Sequence, residues 1–182
     1  MLEKEIFLGC LKNSRPAQEA LYKLYAGKVM TTCMRYAKSR EEAEDMLQEV
    51  FLIIFKKINQ VKKIEALGGW IRQVAVHKAI DIYHKQKKHF GHLSDEALMY
   101  ESDTQDTALD MLSAEELINL IRELPEGYRV VFNLYIIEGY KHEDIGKLLG
   151  ISKSTSRSQL TKAKQALRKM LATNYKITQY IR

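Results

Sequence analysis

Proline and cysteine are nearly missing from this sequence, with two of each in 182 residues, and tryptophan occurs once. So little proline leaves long stretches in which a helix can run without losing a backbone donor. Cys10 and Cys33 lack the CxxC spacing of a metal or redox site and read as reduced thiols in a core, not as a disulfide framework. Nine glycines are too few for a low-complexity or collagen-like chain. No apolar run reaches the roughly 18–20 residues that a membrane span needs. The longest, Val50 to Phe55, is followed at once by Lys56 and Lys57. The opening Met1-Leu2-Glu3-Lys4-Glu5 carries acids and no long apolar stretch, so it does not read as a secretory signal, and a cytoplasmic location is expected.

Acidic residues are absent from Ile151 onward, where eight bases stand. The whole chain carries +6, and the charge is unevenly spread. Residues 1–92 hold 17 Lys and Arg against 10 Asp and Glu; 93–113 hold six acids and no base; 114–182 hold 12 bases against seven acids. Two basic blocks around an acidic segment suit two surfaces for a polyanion and a tether repelled by it. Solvated lysine-rich helix faces would account for the charge alone equally well.

The apolar spacing is helical nearly throughout. Ile6, Phe7, Cys10 and Leu11 form one face of a short first helix. Asn13-Ser14 stops it, and Ser14 is placed to cap the next, with Pro16 in its first turn. Leu21, Leu24, Tyr25, Lys28 and Val29 continue at i, i+3/i+4 toward Tyr36. Ser39-Arg40-Glu41-Glu42 reads as a capping box, opening a helix with the stripe Ala43, Met46, Leu47, Val50, Ile54 and Ile58. Residues 59–69 read as a loop ending in Gly68-Gly69. The next helix is predicted from Trp70 to Lys88, with Ile71, Val74, Ala75, Ala79 and Ile82 inward. Residues 91–112 lose the periodicity and turn polar, the composition of a flexible acidic linker. The expected architecture is all-α: a helical domain over 1–92, a linker over 93–112, and a second helical domain over 113–182.

A second capping box, Ser113-Ala114-Glu115-Glu116, opens that second domain. Helices are predicted at 114–123, 127–137, 141–149 and 153–171. Gly150-Ile151-Ser152 between the last two is the punctuation of a helix-turn-helix, a glycine ending one helix and a serine capping the next. Ile145, Leu148, Leu149, Ile151, Leu160 and Ala163 would clamp the pair. The outer face of the last helix then shows Lys153, Thr155, Arg157, Ser158, Thr161, Lys162 and Lys164. Early residues of such a helix meet base edges, and cations along it meet phosphates.

Two blocks carry a resemblance. Leu124-Pro125-Glu126-Gly127-Tyr128-Arg129-Val130-Val131-Phe132, followed by Glu138-Gly139-Tyr140-Lys141-His142-Glu143-Asp144-Ile145-Gly146, resembles region 4 of the extracytoplasmic-function (ECF, group IV) sigma factors of the sigma-70 family. Ala43-Glu44-Asp45-Met46-Leu47-Gln48-Glu49-Val50-Phe51 and Trp70-Ile71-Arg72-Gln73-Val74-Ala75-Val76-His77-Lys78-Ala79-Ile80-Asp81 resemble its region 2. The resemblance implies a non-enzymatic subunit that binds core RNA polymerase and directs it to promoter DNA. It assigns Asp45, Gln48 and Glu49 to the polymerase clamp helices. It assigns Lys62, Lys63, Trp70, His77, Lys78 and Lys85 to the single-stranded minus-10 element, the 59–67 loop forming a pocket for a flipped base. It assigns Lys153, Thr155, Arg157, Ser158, Thr161 and Lys162 to the minus-35 element, and region 4 also to the polymerase flap tip. A membrane-linked anti-sigma factor is the implied regulator, covering the Asp45/Gln48/Glu49 face, a groove around Val131, Leu134 and Tyr135, or both. No cofactor, metal or small-molecule substrate is implied. The chain departs from the pattern at Val61, where the family often has an aromatic, and at His77, commonly Asn. It departs again at Gly69, where primary sigma factors carry a second aromatic.

The spacing within the acidic block is physically apt. Asp45, Gln48 and Glu49 fall at i, i+3 and i+4, on one helix face opposite Met46, Leu47 and Val50. Carboxylates there repel DNA and suit a protein partner. Other readings exist. His84, His89 and His92 lie in one tract, but lysines around them disfavour a cation. Asp103, Asp106 and Asp110 lack the rigid frame of a metal-dependent nuclease site. An ordinary helix-turn-helix regulator with an N-terminal sensor or dimerisation domain is the main alternative; it requires neither the acidic face nor the Trp70 helix.

Overall fold

The computed structural model describes residues 2–90 and 113–175. The linker expected at 93–112 lies outside the described residues. Among those described there is no strand, and the chain divides into two compact units, Met1–Ile82 and Tyr83–Arg182. The helices are α1 (Glu3–Leu11), α2 (Arg15–Tyr36), α3 (Arg40–Lys57), α4 (Leu67–Phe90), α5 (Ala114–Glu123), α6 (Glu126–Phe132), α7 (His142–Leu149) and α8 (Lys153–Tyr175). No described helix is long and apolar enough to cross a membrane.

In the first unit α1 packs on α2 and α2 on α3. Helix α1 ends where expected, with Asn13 in the left-handed region at φ 55°. Ser14 occupies the N-cap of α2 but its side chain makes no capping bond, and Pro16 in the first turn supplies the start instead. Leu21, Tyr25, Val29 and Cys33 are buried along α2. Leu24 and Lys28, which share that helical spacing, are exposed, because the face α2 turns to the core follows 21, 25, 29 and 33. Burial raises both thiols, Cys33 to about 12, so they remain protonated.

The α3 stripe is buried as its periodicity predicts, from Ala43 through Ile54 to Ile58. Its cap is shifted by one residue at one arm. Ser39 Oγ accepts from Glu42 N at 3.2 Å, while Glu42 reaches back to Lys38 N at 2.9 Å. Two 3-10 turns, Ile58–Gln60 and Ile64–Ala66, occupy the expected loop. Val61 between them is buried, anchoring the segment. Helix α4 starts at Leu67, earlier than predicted, and takes Gly68-Gly69 into its first turn. Val76 and Ile80 are buried along with Ile71, Ala75 and Ala79, whereas Val74 and Ile82 are only half-buried.

In the second unit α6 and α7 pack on α8. Ser113 and Glu116 form the reciprocal capping box: Ser113 Oγ accepts from Glu116 N, and Glu116 accepts from Ser113 N. The single helix expected over 127–137 is instead α6 followed by a π-turn, Asn133–Ile137. Glu138 N donates to Asn133 O and Tyr140 N to Leu134 O, and the chain leaves through Gly139 at φ 76°. A wide turn of this kind shares the apolar spacing of an α-helix, so periodicity does not reveal it. Val131 and Leu134 are wholly buried; of the expected groove only Tyr135 reaches the surface, beside Ile136.

Candidate nucleic-acid interface

The acidic face stands on α3. Asp45, Gln48 and Glu49 are all exposed, while Met46, Leu47 and Val50 are buried on the other side of the same turns. Arg40 holds Glu44 at 2.9 Å, so that carboxylate is engaged within the helix. Glu49 is engaged across helices: Lys78 of α4 donates its ammonium to Glu49 Oε2. The Lys78 side chain is 8% exposed and that of Glu49 is 54% exposed. A lysine stem packed in the core needs a carboxylate at its tip, because an unpaired buried ammonium is costly. The resemblance puts Lys78 among the minus-10 contacts, but its burial takes it away from any phosphate on the surface. It braces the acidic face instead.

The other cations expected along the first unit and α4 are placed outward. Lys62 and Lys63 are exposed just after buried Val61. Along α4, Gln73, His77 and Lys85 are exposed and Trp70 is half-buried. Trp70, Gln73 and His77 recur at helical spacing on one side, an aromatic followed by polar groups, with Asp81 an acid one turn on.

Helices α7 and α8 form the helix-turn-helix. Gly150 takes the left-handed conformation at φ 64° that ends α7, where a side chain would be strained. Gly146 lies against the turn, and a Cβ there would sit 2.8 Å from Ile151 O. Ser152 Oγ accepts from Thr155 N at 2.9 Å, capping α8. Ile145, Leu149, Leu160 and Ala163 are buried between the helices; Leu148 and Ile151 are half-buried.

The predicted recognition residues divide into two groups. Lys153, Arg157, Ser158 and Thr161 are exposed. Thr155 is half-buried with its hydroxyl 2.8 Å from Ser152 Oγ, inside the cap. Lys162 is half-buried, its ammonium 5.8 Å from the centre of the Tyr128 ring. Ser158 and Thr161 donate to the carbonyls of Thr155 and Arg157, leaving oxygen lone pairs for a further donor.

Sequence reasoning missed a cluster behind this face. Ser156 is fully buried, with its hydroxyl 2.9 Å from His142 Nδ1. The His142 ring stacks on Tyr135 with centroids 4.3 Å apart. Burial lowers the His142 pKa, and Arg157 and Lys153 nearby lower it further. The partners are 14 residues apart, so no local pattern signals them. The side chains of His89 and His92 lie outside the described residues, as do Asp103, Asp106 and Asp110.

Comparison with known proteins identifies these parts. Residues 21–89 match the family described as sigma-70 region 2, and residues 114–167 match sigma-70 region 4. The chain is similar to the ECF RNA polymerase sigma factor SigW of Bacillus subtilis, with 28% identity over 172 residues, 88% of this chain and 91% of that protein. It is similar to SigM of the same organism at 27% over 152 residues, covering 82% and 92%. The solved structure of the sigma factor RpoE of Bartonella quintana, in complex with the anti-sigma factor NepR, has a similar fold. Its TM-score is 0.50 at 15% identity, covering 86% of this chain and 97% of that one. With region 2 and region 4 in order over most of its length, the chain belongs to the sigma-70 family and is an RNA polymerase sigma factor. Within that family it is of the extracytoplasmic-function type.

Proposed function

We propose that this chain is a group IV sigma factor acting in the cytoplasm, with region 2 over 1–92, a tether over 93–112 and region 4 over 113–182. It performs no catalytic step of its own. Asp45, Gln48 and Glu49 bind the clamp helices of core polymerase, and region 4 binds the flap tip beside exposed Tyr135 and Ile136. Lys62, Lys63, Trp70, His77 and Lys85 hold the minus-10 element as single strand, stacking and phosphate contacts sharing the work. Arg157, Ser158 and Thr161 read minus-35 base edges, with Lys153 and Lys162 toward the phosphates. A membrane-linked anti-sigma factor controls it by covering the acidic face.

The observation that carries this reading is the α3 face, three polar groups exposed together above a buried apolar stripe. A DNA-binding regulator gains nothing from carboxylates there. Introducing charge in an Asp45→Lys, Gln48→Lys double variant, which leaves the Glu49–Lys78 pair intact, should abolish co-purification with core polymerase while the helical circular dichroism spectrum is kept. Retained association would overturn the assignment.

A further inference from the structure

Helices α7 and α8 meet through the turn, where Gly150 ends one and Ser152 caps the other, and through a buried apolar seam. Apolar burial is non-directional, so Ile145, Leu149, Leu160 and Ala163 do not by themselves set how far α8 is rotated about its axis. A directional contact does so from the start of α7. His142 Nδ1 lies 2.9 Å from Ser156 Oγ. Ser156 is 0% exposed and, among the described residues, its hydroxyl makes no second hydrogen bond. The His142 ring is itself held, stacked on Tyr135 with 19° between the two planes.

Proton placement follows from that burial. A buried hydroxyl hydrogen without an acceptor is costly, so Ser156 donates and Nδ1 accepts, which puts the ring proton of a neutral imidazole on Nε2. A second proton on the ring would turn Nδ1 into a donor and leave the Ser156 hydrogen unmatched. Burial, and then Arg157 and Lys153, oppose that proton as well. Ser156 immediately precedes Arg157, so whatever fixes the one fixes the approach of the other. A binding constellation has to be held within about 0.5 Å. Rotating a helix by about 20° carries an atom about 6 Å from its axis through about 2 Å.

We infer that His142 is a positioning residue for minus-35 reading: by accepting the Ser156 hydroxyl it sets the rotation of α8, and with it the angle at which Arg157 meets a base edge. The inference rests on the minus-35 reading of Arg157, Ser158 and Thr161 and deepens it by naming what holds them. Neither His142 nor Ser156 touches DNA in this role. Tyr135 contributes by fixing the plane of the ring, so that Nδ1 stays aimed at Ser156.

The test uses the full chain with core RNA polymerase and promoter duplexes randomised over the minus-35 element. The readout is enrichment of the selected sequence over its single-base variants. Arg157→Ala removes the base contact itself and should lower that enrichment at least about fivefold. Ser156→Ala and His142→Phe keep every charge and most of the packing. Each should lower enrichment at least about threefold while the salt dependence of binding is unchanged. His142→Asn puts an amide near the place of Nδ1 and should retain most of the enrichment. A merely structural role would lower the melting temperature and weaken all sequences alike, leaving the enrichment ratio unmoved. Spectra of the free chain with isotope-labelled histidine, the ring assigned by its loss in His142→Asn, should show the Nε2–H form at neutral pH. Ser156→Ala should release it into a mixture of the two tautomers. Enrichment lowered by Arg157→Ala yet untouched in folded Ser156→Ala and His142→Phe would overturn the proposal and leave the minus-35 reading standing, as would an Nδ1–H ring. No selected sequence with the unaltered chain would overturn the minus-35 reading, and the proposal with it.

Discussion

Lys78 is the residue whose role differs most from what its sequence context suggests. A lysine in a helix beside Trp70 and His77 looks like a phosphate contact, yet its stem is buried and its charge is spent on Glu49. The pair predicts an asymmetry. Lys78→Met keeps the packed stem and removes the buried charge, and should be near neutral in stability. Glu49→Gln strands the ammonium and should cost about 1–3 kcal/mol, less than a fully buried pair because Glu49 is half in water. Urea midpoints of the two variants decide it, and equal losses would mean the pair is not a unit. Arg157 makes a second prediction at this scale. Arg157→Ala should lose about 1–3 kcal/mol of discrimination between matched and mismatched minus-35 duplexes. Lys169, an exposed cation further along α8, is placed to meet a phosphate only, so Lys169→Ala should weaken both alike and reduce the salt slope by about 1. Competition binding on the two duplexes separates them.

The helix-turn-helix is the most legible element, because its punctuation is local. Gly150 and Ser152 stand where a left-handed C-cap and an N-cap are required, and the structure uses both. The α3 stripe and the Ser113 box are legible for the same reason. The start of α4 is not, since Gly68-Gly69 carries a loop signal that packing of Leu67 and Ile71 overrides. Helix α4 also buries Val76 and Ile80, outside the single stripe that its periodicity suggests. In the candidate site, exposure of Asp45 and Arg157 follows from helix phase. The Lys78–Glu49 and His142–Ser156 pairs do not, because each joins separate helices. His142 gives the element its own prediction. Its folded pKa lies below 6.5 through burial and then through Arg157 and Lys153, with Tyr135 and Ser156 completing its surroundings. Below pH 6.5 the unfolded chain binds the proton more readily than the folded one, so the contribution is complete above that pH and is lost as pH falls. Melting of the second unit should shift downward on acidification from pH 7.5 to 5.5 (about two units across the histidine range). His142→Gln should lessen the shift, and an identical pH profile in the variant would refute the assignment.

At the scale of the whole molecule the charge map and the two family regions agree. Residues 1–92, which contain the region 2 match, carry an excess of seven positive charges, 17 against 10, and residues 114–182, which contain the region 4 match, an excess of five, 12 against seven. Both present cations on the helices assigned to DNA, while an exposed carboxylate face lies on α3. On the reading proposed above, a protein so arranged would meet DNA with two surfaces and a protein partner with a third, as promoter recognition by a polymerase subunit requires. The measurement that bears most directly on this is run-off transcription by core RNA polymerase on the DNA upstream of this protein's own gene. With the unaltered protein a discrete transcript should appear; with the Asp45→Lys, Gln48→Lys variant, folded by circular dichroism, it should be lost. A discrete transcript from core enzyme and that variant, or none from core enzyme and the unaltered protein on any promoter in a randomised library, would contradict it.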